Sequence, residues 1–393
     1  MRLATGDAIL IAAQSGRALA QAARRAGLRP LVLDLFGDAD TLELAEHHRT
    51  ASGRFGSGRL GGEAVLTRLD ELASLSDKPP VGVILGSGFE GAPDLMARIG
   101  ARHRLIGASP ETVALLKDPL RFAKLCAALS VPHPAVTVEA VTDRTAWLLK
   151  RAGGSGGTHI RPATAGRAPP GAYFQARVAG RAHAVAVLAG ESSLDVVAVT
   201  EQWTAPSRLR PYRYGGAIER GRDEAAPLAP TLLAEIVAAI ARLVEATGLR
   251  GLASADVLVD GDAWWLTEIN PRPGATLDVL DRRATPLLSA HIAASLGQVS
   301  RIERAPTDAA AAAICYAATN YAPVPPLDWP DYVRDRPRAG SSVAREAPLC
   351  TLIAVGRDAA AVRETLRGRA ATLRALLGPG EKTDEHEPDR REP

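Results

Sequence analysis

The chain has 393 residues, of which 46% are hydrophobic and 23% charged, and its formal net charge is +3. That length suits two or three domains with ordinary apolar cores. A charge near zero without basic runs excludes a nucleic-acid-binding field, and no apolar stretch is long enough to span a membrane.

The N-terminal run MRLATGDAILIAAQSG carries Asp7 and Gln14 inside a short apolar segment, so it reads as a first strand and not as a signal peptide. Residues 8–13 form that strand, and 16–26 a helix with an Ala/Leu stripe. PLVLDL at 30–35, GVILGSGFE at 82–90 and RLIG at 104–107 read as further strands. Strands alternating with helices predict an α/β front domain with a doubly wound parallel sheet, whose ligands sit at the C-terminal strand ends. AQSGR at 13–17 and GSGFE at 86–90 lie at such ends, where turn amides either hold an anionic group or simply close a turn. No G-x-G-x-x-G follows the first strand, which argues against a dinucleotide site.

Residues 109–135 read as two short helices, with Ser109 as cap, Pro110 at the first helical position, and a break at Asp118-Pro119. Lys117 precedes the break. The chain has only five lysines against 42 arginines, so a lysine is more informative here than usual. Read by itself, Lys117 is either a solvated helix-end cation favoured by the dipole or a phosphate ligand.

A strand then delivers Lys150 to a glycine loop, Gly153, Gly154, Ser155, Gly156 and Gly157. Without side chains, its amides can approach phosphate oxygens closely beside the lysine charge. The lysine comes before the glycines, unlike the pattern G-x-x-x-x-G-K-[ST], and a floppy hairpin loop is the alternative. Residues 172–190 alternate as two strands joined at Ala179-Gly180. The segment 200–220 brings Arg208, Arg210, Arg213 and Arg220, any of which could face phosphate or an acidic substrate; Arg220, after Gly215-Gly216, is the favoured one. An amphipathic helix over 229–247 ends at Gly248, and another helix covers 286–296.

Between these helices stands the most informative stretch, TEINPRPG at 267–274. Glu268 and Asn270 are two apart on an extended chain, so their oxygens point to one side. Asp256 lies twelve residues before Glu268, and the DGD at 260–262 reads as a tight hairpin turn that lays the two acids side by side. Two carboxylates and an amide suit Mg²⁺ that keeps waters and phosphate oxygens. Arg272 follows with a planar fork for phosphate or carboxylate.

Asp256 followed by Glu268-x-Asn270-Pro271-Arg272-Pro273 resembles the metal-binding signature of the ATP-grasp superfamily, over about residues 80 to 300. Its members activate a carboxylate as an acyl phosphate and usually join it to an amine. The resemblance implies the ATP-grasp fold. A Rossmann-like front domain covers 1–115, and an ATP-grasp domain covers 116–300 with its small lid at about 133–190. A small C-terminal domain follows at 301–380, then a disordered tail at 381–393. It implies ATP and Mg²⁺ as cofactors, with Mn²⁺ able to replace the metal. Asp256, Glu268 and Asn270 would hold the metal; Lys117, Lys150 and the loop 153–157 would meet the phosphates; Arg272 and Arg220 would serve the transfer. Gln175, Ala176 and Val178 would hold adenine, although many members have Glu where Gln175 stands. The later acid that meets the ribose falls here on Ala182 or His183, which leaves that contact unassigned.

Past residue 300, AAAAICYAATNYAPVPP and REAPLCTLIAVG read as strands and 359–378 as a helix, an order that resembles the C-terminal domain of biotin-carboxylase-like members. The Tyr-Gly-Gly segment at 214–216 and DWPDYVRDRPRAGSSV at 328–343 resemble ATP-grasp proteins of bacterial one-carbon pathways. Those accompany the making of methanopterin- and methanofuran-type cofactors, with tyramine– or tyrosine–glutamate ligation as precedent. The partners implied are a small-molecule carboxylate and an amine, with neither nucleic acid nor membrane, and a homodimer is compatible. Three scattered cysteines without metal spacing, Cys126, Cys315 and Cys350, fit a reduced cytoplasm. The rival expectations are a biotin-carboxylase-like, kinase-like or other ATP-grasp phosphotransferase and a non-catalytic nucleotide-binding scaffold.

Overall fold

The computed structural model describes residues 4–191 and 193–378. The tail expected at 381–393 lies outside the described residues.

The front of the chain is a parallel sheet of β1 (Ala8–Ala12), β2 (Arg29–Asp34), β3 (His47–Thr50), β4 (Val83–Leu85) and β5 (Leu105–Ile106) in the order β3-β2-β1-β4-β5. Its helices are α1 (Arg17–Arg25), α2 (Ala39–Leu44), α3 (Gly62–Ser74) and α4 (Pro93–Gly100). Every residue of β1 is buried because both faces of the sheet are covered. Leu10 and Ala12 belong with Leu66, Leu69 and Ile99 on one face, whereas Ile9 and Ile11 belong with Leu19, Ala20 and Ala23 of α1 on the other. The strand order reverses between β1 and β4, which opens a crevice at their C-terminal ends. The strand expected over 82–90 ends at Leu85, since Gly86 and Gly88, the latter at φ 112°, turn the chain. The edge strand β3 was not anticipated: its sequence, His-His-Arg-Thr, has no apolar pattern.

Helices α5 (Pro110–Lys117) and α6 (Pro119–Ala128) follow, broken as expected at Asp118. Ser109 Oγ accepts the Thr112 amide at the start of α5, and Asp118 accepts the amides of Leu120 and Arg121 at 3.0 Å to start α6. A small antiparallel sheet comes next, from β6 (Val136–Thr137), β7 (Trp147–Arg151), β8 (Ile160–Pro162) and β9 (Ala172–Ala176), in the order β6-β9-β7-β8. This sheet stops at Ala176, short of the lid boundary expected near 190. The strand after it, β10 (Arg181–Ala189), pairs instead with β11 (Leu194–Thr204) and β13 (Gly251–Asp260). Six of the nine residues from Arg181 to Ala189, Ala184–Ala189, form a fully buried apolar run, which suits a central strand of a larger sheet.

That larger sheet has eight strands in the order β14-β13-β10-β11-β12-β15-β17-β16. The remaining members are β12 (Tyr214–Glu219), β14 (Ala263–Asn270), β15 (Ala309–Tyr316), β16 (Val333–Arg334) and β17 (Pro348–Gly356). Helix α7 (Pro230–Thr247) packs its Leu232, Ile236, Ile240, Leu243 and Val244 stripe into the core and ends at Gly248, φ 62°. Helices α8 (Leu277–Leu280), α9 (Leu287–Ser295) and α10 (Ala359–Leu377) complete the chain. The C-terminal strands do not form a sheet of their own: β15 pairs with β12 and so extends the same eight-stranded sheet.

Candidate active site

The β13–β14 hairpin turns through Gly261 and Asp262, with Asp260 paired to Ala263 and Gly261 at φ 60°. The two-residue turn sets Val257 opposite Leu266, and a β-bulge at Thr267 then shifts the register by one residue, which sets Asp256 opposite Glu268 and Ser254 opposite Asn270. The Asn270 side-chain amide donates to Asp256 Oδ2 at 3.0 Å. From α5, the Lys117 ammonium reaches in between, donating to Glu268 Oε1 and, at 3.1 Å, to Asn270 Oδ1. The expected juxtaposition of Asp256, Glu268 and Asn270 is therefore present, with a cation already among its oxygens. Burial would raise Glu268, but Lys117, together with His159 and Lys150, draws it down to about 2. Burial and the facing Glu268 carboxylate instead push Asp256 up to about 7. Two carboxylates and a carbonyl oxygen held this close attract positive charge, and their hardness fits Mg²⁺. Among the described residues no cluster of three His, Cys, Asp or Glu forms an all-protein cage, so a metal here would keep waters or phosphate oxygens.

Lys150 approaches from the small sheet. It is 7% exposed, opposite Tyr173 and Ile160, and its ammonium has no hydrogen bond among the described residues. Burial lowers it, and the negative charges of Glu268 and Asp256 pull the other way. Lys117, Tyr173, Gln175 and Glu268 line one cleft between the small sheet and the hairpin. His159, overlooked in the sequence, lines it too, and burial holds its imidazole down at about 4. Gln175 is buried near the end of β9; Ala176, which ends the strand, and Val178, on the connection into β10, are half-buried. The amides of Ala176 and Arg177 donate to the carbonyls of Ala135 and Ala146.

The glycine loop does not float free. The Ser155 amide donates to Gly56 of the front domain and Gly156 O accepts the Tyr214 amide at 2.9 Å. Gly58 lies so close that a Cβ there would stand 1.7 Å from Gly153 O. Gly153 and Gly154 border the cleft with Lys117, whereas Ser155 and Gly156 border a second cavity in the front domain. Gly157, at φ 67°, packs on Tyr212. The loop is thus a partition between the two spaces.

Arg272 lines that second cavity, and its Nε donates to Glu90 Oε1 at 2.8 Å. Glu90 Oε2 accepts the amides of Gly88 and Phe89 at 2.7 and 3.1 Å. Of the two roles open to the turn at 86–90, an anion site or a plain turn, the Gly88 and Phe89 amides are thus taken by the chain's own carboxylate. At 13–17, Asp34 takes the Gly16 amide and Ser87 O that of Gln14. Glu90 belongs to the site and went unrecognised, because nothing local in GSGFE announces a partner 182 residues away.

Arg220 is a correction. Its Nε donates to Glu201 Oε1 at 2.6 Å, and Arg363 of α10 shares that carboxylate. Glu201 neighbours Gln202, whose side chain points to Asp256, so alternation sends Glu201 and Arg220 to the opposite face of the sheet. Arg213 is likewise tied to Glu346 and stacked on Tyr316, Arg210 donates to the Glu346 carbonyl, and Arg208 is exposed.

Residues 118–276 match the family model of the ATP-grasp domain. This protein has the ATP-grasp fold. It is similar over 92% of its length to 90% of a biotin carboxylase from Campylobacter jejuni solved with an ATP analogue, at 15% identity and a TM-score of 0.67. It also resembles an N5-carboxyaminoimidazole synthetase from Staphylococcus aureus complexed with ADP, over 95% of this chain and 98% of that one, at 14% identity and 0.64. The biotin carboxylase domain dimer of a Hydrogenobacter thermophilus 2-oxoglutarate carboxylase, solved with MgADP and bicarbonate, matches at 12% and 0.67 over 93% and 90%. At such identities the likeness is one of fold. Among the described residues no helix is long and apolar enough to cross a membrane.

Proposed function

We propose that the protein is an ATP-dependent ligase that joins a carboxylate to an amine through an acyl phosphate. The observation that carries this reading is the convergence of Asp256, Glu268 and Asn270 on one hairpin, with Lys117 between them and the buried Lys150 of β7 close enough to feel the Glu268 and Asp256 charges. Mg²⁺, or Mn²⁺ in its place, held by Asp256, Glu268 and Asn270 would offset phosphate charge. Lys117 and Lys150 hold the nucleotide phosphates, the strand end at Gln175, Ala176 and Val178 takes the adenine, and Gly153 to Gly157 close over the triphosphate end. A carboxylate oxygen bonds to the γ-phosphorus as ADP departs; an amine nitrogen then bonds to the acyl carbon as phosphate departs. Arg272, held by Glu90, steadies the phosphoryl oxygens at the partition between cleft and cavity. Water would hydrolyse the acyl phosphate, so the partition also has to exclude it.

The finer reading is a tyramine– or tyrosine–glutamate-type ligation in methanofuran- or methanopterin-type cofactor biosynthesis, in the cytoplasm. In its favour, the 328–343 stretch brings Asp335 to the front cavity, which has an aromatic wall. The three cysteines are free, as a reducing compartment would leave them. A biotin-carboxylase-like or other ATP-grasp phosphotransferase is the second reading, favoured by a fold likeness to a biotin carboxylase over 92% of the chain. A screen of ADP release across carboxylate and amine pairs, with mass spectrometry of products, tests both. ADP formed only with an amine present supports the ligase, ADP formed with biotin and bicarbonate supports the rival, and no ADP with any pair overturns both.

A further inference from the structure

A cavity of about 180 Å³ opens at the crevice of the front sheet, separated from the nucleotide cleft by Ser155 and Gly156 and closed on its far side by β15 and β17. Much of its wall is apolar. Ile314, Leu349 and Ala312 contribute, and the rings of Phe36 and Phe55, 5.8 Å apart, form an aromatic corner.

Asp38 faces this space. It is 8% exposed and precedes α2, yet it neither caps that helix nor has a hydrogen-bond or ion-pair partner among the described residues. The other acids around it are all satisfied. Asp34 receives the amides of Gly16 and Gly37 and pairs with His48; Asp40 receives the amides of Asp335 and Arg336. Asp278 and Asp335 share Arg17, which also donates to Gln21 and so has nothing left for Asp38. Burial, with Asp335, Asp34 and Asp40 nearby and Arg17 as the one opposing charge, pushes the Asp38 carboxyl up to about 8. A nearly buried carboxyl without a protein donor, its oxygens open to the cavity, must be completed there by water or by a ligand's donors. The acidic surroundings repel a carboxylate or phosphate. A single unpaired carboxylate in an apolar wall is too few oxygens for a metal ion.

We propose that this cavity is the amine subsite and that Asp38 holds the ammonium group of the amine substrate, whose flat apolar body lies against Phe36 and Phe55. The proposal rests on the ligase reading for the word substrate, but its binding chemistry stands on the cavity alone. An ammonium supplies the donors Asp38 lacks, and a charge-assisted bond in a dry wall is strong. Aromatic rings also attract cations and flat apolar groups.

The test uses the full chain without nucleotide and three probes with the same body: phenethylamine, 2-phenylethanol and 3-phenylpropionate. By calorimetry and ligand-observed NMR, phenethylamine is expected to bind and the neutral and anionic probes are not. Asp38→Asn and Asp38→Ala should weaken phenethylamine by about tenfold or more while melting at or above the parent temperature, since each removes an unpaired buried acid. Phe55→Ala keeps the charge and removes the wall, so it should weaken binding yet retain the preference for the amine. Below pH 8 binding should release a proton from Asp38, so the measured enthalpy should follow the ionisation enthalpy of the buffer, and affinity should rise as pH approaches about 8. Equal binding by parent and both Asp38 variants, equal or tighter binding of 3-phenylpropionate, or no amine binding at millimolar concentration each overturns the proposal. A protein that releases no ADP with any pair yet shows Asp38-dependent amine binding would fail the ligase reading and keep this one.

Discussion

Replacing Glu90 by Gln tests whether Arg272 is held in place or merely present. The Glu90 side chain is 3% exposed and Arg272 is 14% exposed. One carboxylate oxygen serves two amides and the other serves Arg272. A Gln side chain can keep its oxygen toward the amides only by turning its NH₂ toward the guanidinium, donor against donor. Breaking one partner of a buried ion pair costs about 3–5 kcal/mol, and the part exposure of Arg272 lowers this to roughly 2–4 kcal/mol. The assay is a double-mutant cycle of Glu90→Gln and Arg272→Met, read by denaturant midpoints and by ADP formation. We expect a coupling of about 2 kcal/mol between the two sites, and turnover of Glu90→Gln down by about tenfold or more because the arginine is no longer held. The sign of the pH dependence follows from Glu90. Burial would raise its carboxyl, but Arg272, Lys117 and two backbone amides hold it below the ordinary range. A depressed acid contributes stability above its unfolded value of about 4.3 and loses it as pH falls through the folded value. The stability gap between parent and Glu90→Gln should therefore be full at neutral pH and shrink under acid. Additive substitutions, or a gap unchanged from neutral to acid pH, would refute the reasoning.

Glu268→Ala should abolish ADP formation with folding nearly kept, while Arg220→Ala, bound to Glu201 on the opposite face, should leave turnover within a few-fold; equal losses in a steady-state assay would contradict both placements. Lys150→Ala should raise the Mg-ATP requirement with little change in melting temperature, because a buried lysine without a hydrogen bond adds little to the fold; nucleotide titrations that overlay the parent would count against it. Gly58→Ala should push the partition away, since its Cβ would stand 1.7 Å from Gly153 O at a backbone φ of 70°. Slower turnover and faster amide exchange across 153–157 are expected, and parental exchange would show that the contact does not hold the loop.

The legible parts of the site were local ones. The hairpin that carries Asp256, Glu268 and Asn270 was legible because a two-residue turn and strand alternation operate within fifteen residues, but the β-bulge at Thr267 that brings Asp256 opposite Glu268 was not. Lys117 was placed by Ser109, Asp118 and Pro119, which start and stop helices through their own caps and ring. The parallel front sheet was legible in its apolar runs, though β3 was not, since an edge strand of His, His, Arg and Thr carries no periodic signal. The lid boundary was misplaced because an apolar run like 184–189 does not say which sheet will bury it; only pairing with β11 and β13 does. The same holds for β15, which joins β12 rather than building a separate layer. Arg220 was read from its arginine-rich segment as facing phosphate or an acidic substrate, and strand alternation across the folded sheet turned it to the other face. The Glu90–Arg272 pair and the unpaired Asp38 beside a fully engaged Arg17 join segments from the two ends of the chain. No sequence spacing encodes them. They exist only because docking the front sheet against the eight-stranded sheet removes water from both, and burial then decides which charges find partners.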